Sequence, residues 1–138
     1  MPYLVTLFPQ SRVGLVSGSG HVTGQELAHA CGEMVHDARW ESGFSEVWDL
    51  SGAAEVDISP DELTGLVESA HEYADRIGEA RCAFVTTRDG VIPLLRLFER
   101  LTADLDRTYA TVRTRTEAEA WLGLAPGALA PEPLADGA

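Results

Sequence analysis

Two short polar stretches stand out, each directly after an apolar run. One is Asp49-Leu50-Ser51-Gly52 and the other is Thr86-Thr87-Arg88-Asp89-Gly90. Asp49, Ser51, Thr87, Arg88, Asp89 and Gly90 are the candidate ligand-binding residues. The Arg88 guanidinium, with the Gly90 and Val91 amides at a helix start, is suited to an anion. The same residues also make ordinary turns, since Asp and Ser before Gly are turn chemistry.

A second group is His29, Glu33 and His36, spaced so that one helix face carries all three. Three ligands on one exposed helix make a poor metal cage without a fourth group and supporting hydrogen bonds, so no metal is expected. His21 and His71 have no nucleophile beside them. No GxSxG elbow, no Gly-rich phosphate loop with Lys and no Cys–His signature occurs. No catalytic residue and no cofactor are assigned, and the chain is read as non-enzymatic.

The elements that must position these residues follow from periodicity. Tyr3–Phe8 and residues 12–16 read as strands joined by a turn, a hairpin. Gly18-Ser19-Gly20 breaks it, and "GSGHVTG" reads as a loop. Thr23 to Glu26 is a capping box, and the helix after it turns Leu27, Cys31, Met34, Val35 and Ala38 to one face. Residues 46–50 read as a buried strand. Ser59-Pro60-Asp61-Glu62 is a second capping box with Pro at the first helical position. Its helix aligns Leu63, Leu66, Val67, Ala70, Ala74 and Ile77.

Residues 81–86 are nearly all apolar, as central parallel strands are. A third helix presents Leu94, Leu97, Phe98, Leu101 and Leu105 to the core. Leu95 lies off that face, available to a pocket between helix and sheet or to a dimer contact. Residues 109–113 read as a last strand, and Thr116 to Glu119 as a third capping box before a short helix. The order β-β-α-β-α-β-α-β-α implies an α/β fold, a mainly parallel sheet covered by helices. Residues 1–124 form one domain, and 125–138, rich in Pro, Ala and Gly, are expected to be a flexible tail. Trp48 and Trp121 are expected in the core, and Trp40 to cover its edge.

The 138 residues carry a net charge of -12, and all ten basic residues are Arg. So acidic a chain repels phosphate backbones and anionic lipid heads, which argues against nucleic acid and membrane partners and for a basic protein patch. Residues 1–20 do not read as a secretory signal, and no apolar run approaches the length that spans a bilayer. A cytoplasmic location is expected, with Cys31 and Cys82 as buried reduced thiols.

The motif order "GHVTGQEL", "VWDLSGAAEVDISPDEL", "RCAFVTTRDG" with "LLRLFERL", and "VRTRTEAEAWLG" resembles the SpoIIAA-like proteins of the STAS-like superfamily. The likeness spans roughly residues 10–123. It implies a STAS-type fold acting as an interaction or regulatory module with a protein partner. The alternative it implies is a carrier or sensor of a small apolar or anionic ligand, a lipid or a nucleotide, in a cleft at the carboxyl ends of the strands. It also implies a phosphorylation site. In anti-sigma-factor antagonists the regulatory serine precedes the helix after the "DL" strand, and Ser59 stands at about that position. Here Pro60-Asp61-Glu62 replace the usual flank, and capping alone accounts for Ser59. A homodimer through an exposed helix or the edge strand is compatible with this reading.

Overall fold

The structure, a computed structural model, describes residues 2–130. Strands β1 (Tyr3–Phe8) and β2 (Val13–Gly18) form the expected antiparallel hairpin. The chain continues through β3 (Gly20–Thr23), α1 (Gly24–Val35), β4 (Ser45–Asp49), β5 (Ala53–Asp57) and α2 (Pro60–Glu72). Then come α3 (Ala74–Ile77), β6 (Ala80–Val85), α4 (Ile92–Leu101), β7 (Arg107–Val112) and α5 (Arg115–Trp121). The main sheet has the order β1-β2-β4-β6-β7, and every pairing after the hairpin is parallel.

This strand order explains the layers. From β2 onward each new strand is added on the same side, so right-handed crossovers place α1, α2 and α4 on one face. That face packs Val16, Trp48, Leu50, Cys82 and Phe84 against Leu27, Cys31, Met34 and Leu95. The opposite face, with Val13, Leu15, Val47, Ala83 and Val85, is covered by α5 through Ala118, Trp121 and Leu122. Trp48 is buried as expected, and so is Trp40, whose indole donates to the Arg76 carbonyl at 2.8 Å. Among the described residues no helix is long and apolar enough to cross a membrane.

Four expectations are corrected. The "GSGHVTG" stretch is not only a loop: Gly20–Thr23 forms β3, which pairs in parallel with β5. This two-stranded ribbon is short and mostly exposed, so neither strand shows the alternation that marks a buried strand. The last capping box sits two residues earlier. Thr114, in extended conformation, accepts from the Glu117 amide, and Glu117 accepts from the Thr114 amide.

The third correction concerns α4, where Leu95 is the buried residue and Leu101 is 48% exposed. The helix is therefore rotated relative to the leucine stripe that its sequence suggests. The fourth concerns the tail. Residues 125–130 stay on the domain, with Leu129 fully buried in the second core. Glu119 holds them, its two carboxylate oxygens accepting from the Gly127 amide at 2.9 Å and the Leu129 amide at 2.8 Å. The rest of the expected tail, 131–138, lies outside the described residues.

Candidate functional site

The two strand-end stretches are neighbours at the carboxyl edge, where the Leu50 amide donates to the Val85 carbonyl. Asp49, Ser51 and Arg88, however, have partners within the chain. Asp49 is buried, and its Oδ1 accepts from the Ser51 amide and hydroxyl at 2.9 and 2.5 Å. Its Oδ2 accepts from Arg115 Nε at 2.9 Å. Arg115 also donates to the Ser17 hydroxyl and the Leu129 carbonyl, tying α5 and the C-terminal segment to this edge. Arg88 reaches β5, donating to the Ala53 and Ala54 carbonyls. Thr87, Asp89 and Gly90 are exposed on the loop.

Ser59 is the N-cap of α2. Its hydroxyl accepts from the Glu62 amide at 3.1 Å, and Glu62 accepts from the Ser59 amide at 2.9 Å. Glu62 also accepts from the Gln25 amide at the start of α1, which joins the two helix N-termini. Its carboxyl is held below the ordinary value by these backbone N–H donors, Ser59 first and Gln25 next. On α1, Glu33 accepts from the Tyr3 hydroxyl and His36 Nδ1 contacts the Gly32 carbonyl. Among the described residues no three His, Cys, Asp or Glu side chains are placed to hold a metal ion.

A cavity lies elsewhere, over the face of the sheet and beneath α1, α2 and α4. Its volume is about 60 Å³. Leu27 of α1, Leu63 and Leu66 of α2, and Leu94, Leu95 and Phe98 of α4 form its walls. Leu95, off the expected helix face, is thus a pocket residue. Trp48, Leu50, Cys82 and Phe84 form the floor together with two charged residues, Glu46 and Arg107.

Alternation explains the charges. Successive side chains of a strand point to opposite faces, so Glu46 shares the helix-covered face with Trp48 and Leu50. Arg107 shares it with Tyr109, which stacks on Phe84. Strand β6 runs between β4 and β7, and its small Ala80 and Cys82 leave room for the two long side chains to approach. Glu46 Oε2 lies 3.6 Å from Arg107 Nη2, with side chains only 1% and 4% exposed. Glu46 Oε1 accepts from the Trp48 indole at 3.0 Å. Oε2 and Nη2 are buried without a hydrogen-bond partner among the described residues.

Burial, the largest single effect, would lower the Arg107 pKa, but the Glu46 carboxylate together with Cys82 and Tyr109 outweighs it and holds the guanidinium above its ordinary value. The two thiols on this face are pushed the other way from reactivity. Burial, then the Glu46 charge, raises Cys31 to about 12, and the same causes raise Cys82 well above its ordinary value. The chamber is therefore almost wholly apolar, with the ion pair sealed into its floor. It presents no activated nucleophile.

This architecture has a counterpart among solved structures. A crystal structure of an uncharacterized protein of the DUF3478 family with a SpoIIAA-like fold, from Shewanella loihica, matches 87% of this chain and 91% of its own, with a TM-score of 0.56 and 10% sequence identity. The chain has a SpoIIAA-like fold. At that identity the likeness shows the fold alone. No protein-family model matches the sequence, and no curated protein matches it.

The fold expected from the motif order is thus the one found. Glu46 and Arg107, by contrast, are not among the residues that the sequence singles out. One signal for Glu46 is there: a carboxylate in phase with Trp48 and Leu50 on the covered face of a strand. Nothing in the sequence places Arg107 opposite it, because that contact crosses an intervening strand.

Proposed function

We propose that the chain is a carrier or sensor of a small, largely apolar ligand, held between the sheet and helices α1, α2 and α4. One observation carries this reading. A cavity of about 60 Å³ lined almost wholly by hydrocarbon lies between the sheet and these three helices. An apolar cavity in a protein interior stays dry and takes up apolar molecules. Native mass spectrometry of protein purified gently from its own host tests the reading. A retained small molecule is expected. A bare chain mass, with no thermal shift against a panel of lipids and nucleotides, would overturn it.

A second reading is a non-enzymatic interaction module of STAS type. Its support is the SpoIIAA-like fold together with the net charge of -12, which steers a basic protein surface towards the chain. Leu4, on edge strand β1, and Leu101, at the end of α4, are exposed large apolar side chains at which a partner or second copy would bury area. Under this reading Ser59 is the residue a kinase would modify, and Asp49, Ser51 and the loop from Thr87 to Gly90 would face the partner. Affinity capture with the wild-type chain and with a Leu4→Asp/Leu101→Asp variant tests it. One specific protein lost by the variant supports the module, and identical background in both overturns it.

A further inference from the structure

We propose that β1 is a dimerisation edge, at which two copies of this chain join β1 to β1 antiparallel about a two-fold axis at Val5. Their five-stranded sheets then merge into one. No residue of β1 lines the cavity, so the inference is independent of the ligand reading.

The hydrogen-bond phase of the hairpin decides which backbone groups face outward. The Ser19 amide donates to the Pro2 carbonyl at 2.8 Å. The register then runs from Tyr3 opposite Gly18 to Phe8 opposite Val13. In an antiparallel ladder alternate pairs exchange backbone hydrogen bonds. Pro2, Leu4, Thr6 and Phe8 therefore turn their backbone groups to β2. Tyr3, Val5 and Leu7 turn their N–H and C=O groups away from it, on the outermost strand of the sheet. Among the described residues these outward groups have no partner.

The outward groups are self-complementary. With Val5 opposite Val5 of the second copy, each Val5 amide meets the other's carbonyl. Tyr3 then pairs with Leu7 of the second copy, and Leu7 with its Tyr3. Every outward donor finds an acceptor. Leu4, which is 66% exposed, comes to lie opposite Thr6 of the second copy in a non-hydrogen-bonded pair, where facing side chains stand closest.

Charge favours a second copy as the occupant. Two chains of net charge -12 repel each other, so they meet most readily where like charges are absent. Residues 2–11 have no ionised side chain, although 23% of the chain is charged. A basic partner finds no carboxylate on this strand to pair with. Nor does β1 carry the Lys, Pro or bulge by which edge strands ordinarily prevent pairing, and its register with β2 is unbroken. The other edge, β7, is bracketed by Asp106 and Arg113. Above β1 the exposed α1 stripe of His29, Glu33 and His36 supplies a polar rim, with Glu33 accepting from the Tyr3 hydroxyl at 2.5 Å.

Sedimentation equilibrium of the full chain over the micromolar range, with amide exchange on the same samples, tests the inference. The expected mass is that of two 14.9 kDa chains. The Tyr3, Val5 and Leu7 amides should exchange slowly in the dimer and quickly on dilution, whereas those of Leu4 and Thr6, paired with β2, stay protected. Val5→Pro removes the central outward donor and leaves the ladder to β2 intact, since Pro is tolerated on an edge strand whose N–H faces away from the sheet. It should weaken dimerisation at least about tenfold, the worth of the two central hydrogen bonds. Should that variant fail to fold, the exchange pattern of the unmodified chain decides alone. A monomer throughout overturns the inference. So does a dimer in which the three outward amides exchange fast, or one that Val5→Pro leaves unweakened. Slow exchange of those amides in a monomer overturns it too, because another part of the chain then covers the edge.

Discussion

Arg107 Nη2 and Glu46 Oε2 face each other at 3.6 Å across strand β6, at the bottom of the chamber. The pair is a structural commitment. Removing one partner leaves the other as an uncompensated buried charge, which costs about 3–5 kcal/mol. Replacing both by apolar residues of similar size is often neutral or stabilising. Urea unfolding should therefore show Glu46→Leu and Arg107→Leu each strongly destabilised, and Glu46→Leu/Arg107→Leu recovering most of the loss. Strictly additive effects in that cycle would show that the two groups do not interact.

The thiols of Cys31 and Cys82 line the same chamber and are both buried. With Cys31 raised to about 12 and Cys82 well above its ordinary value, almost no thiolate exists near neutral pH. Iodoacetamide at about pH 8, below the ordinary thiol value, should leave the native chain unmodified and label both sites after unfolding in guanidinium. Rapid native labelling of either cysteine would mean that the chamber opens or that the thiols are activated, and would argue for chemistry at this site.

His71, near the end of α2, bridges to Asp104, just beyond α4, at 3.0 Å. Its other nitrogen lies 2.9 Å from the Val67 carbonyl. Protonated, the ring donates both bonds, first to Val67 and then to Asp104, so its pKa is raised above 6.5. Asp104 is lowered below 3.8 chiefly by the hydrogen bond from His71. The His71 contribution is therefore complete below its unfolded value and lost as pH rises through the raised folded value. The Asp104 contribution is present above its unfolded value and lost as pH falls through the lowered one.

The bridge thus ties α2 to α4, two walls of the chamber, over mildly acidic conditions. The melting temperature of His71→Gln should fall below that of the parent at about pH 5.5 and converge with it at about pH 8.5, on either side of the ordinary histidine value. A gap that widens with pH would contradict the assignment.

Much of the fold is legible in the sequence because its signals are local. The Thr23 and Ser59 capping boxes, the apolar run of β6 and the face of α1 each follow from residues within one or two turns. What is not legible depends on contacts distant in sequence. β3 and β5 are defined only by each other, 33 residues apart at Gly20 and Ala53. The rotation of α4 is set by what Leu95 meets across the chamber, not by its own leucine stripe. Asp49 and Arg88 are conspicuous in sequence as turn-side polar residues, yet the structure satisfies both internally, through Arg115 and through the β5 backbone. The chamber's charged floor joins residues 61 positions apart, 46 and 107, on strands that do not touch.

Ser59 offers a test that separates capping from modification. Its hydroxyl accepts the Glu62 amide, and such a cap is worth about 1 kcal/mol. Ser59→Ala should lose about that much in chemical unfolding, whereas Ser59→Asp, itself a good cap, should stay close to the parent. If Ser59→Asp is as damaging as Ser59→Ala, the cap is not what the side chain contributes. Ser59→Asp then serves as a folded mimic for any partner assay, because it adds charge at the helix N-terminus without removing the cap.

Glu119 is a buried carboxylate whose partners are the backbone of a segment that composition alone marks as free. Its oxygens accept the Gly127 and Leu129 amides, and Leu129 fills the core beneath α5. Glu119→Ala leaves those two amides without their acceptor, each costing about 1–3 kcal/mol if they stay buried. The segment can avoid that cost by leaving the surface, which instead forfeits the burial of Leu129. Leu129→Ala removes only the burial, at about 2–5 kcal/mol for a core leucine. Hydrogen exchange distinguishes the two routes. In Glu119→Ala the Leu129 amide should lose its protection while the amides of β6 keep theirs. In Glu119→Gln one acceptor oxygen survives, so protection should be intermediate. Unchanged exchange at Leu129 in Glu119→Ala would mean that side-chain packing, and not the carboxylate, holds residues 125–130 to the domain.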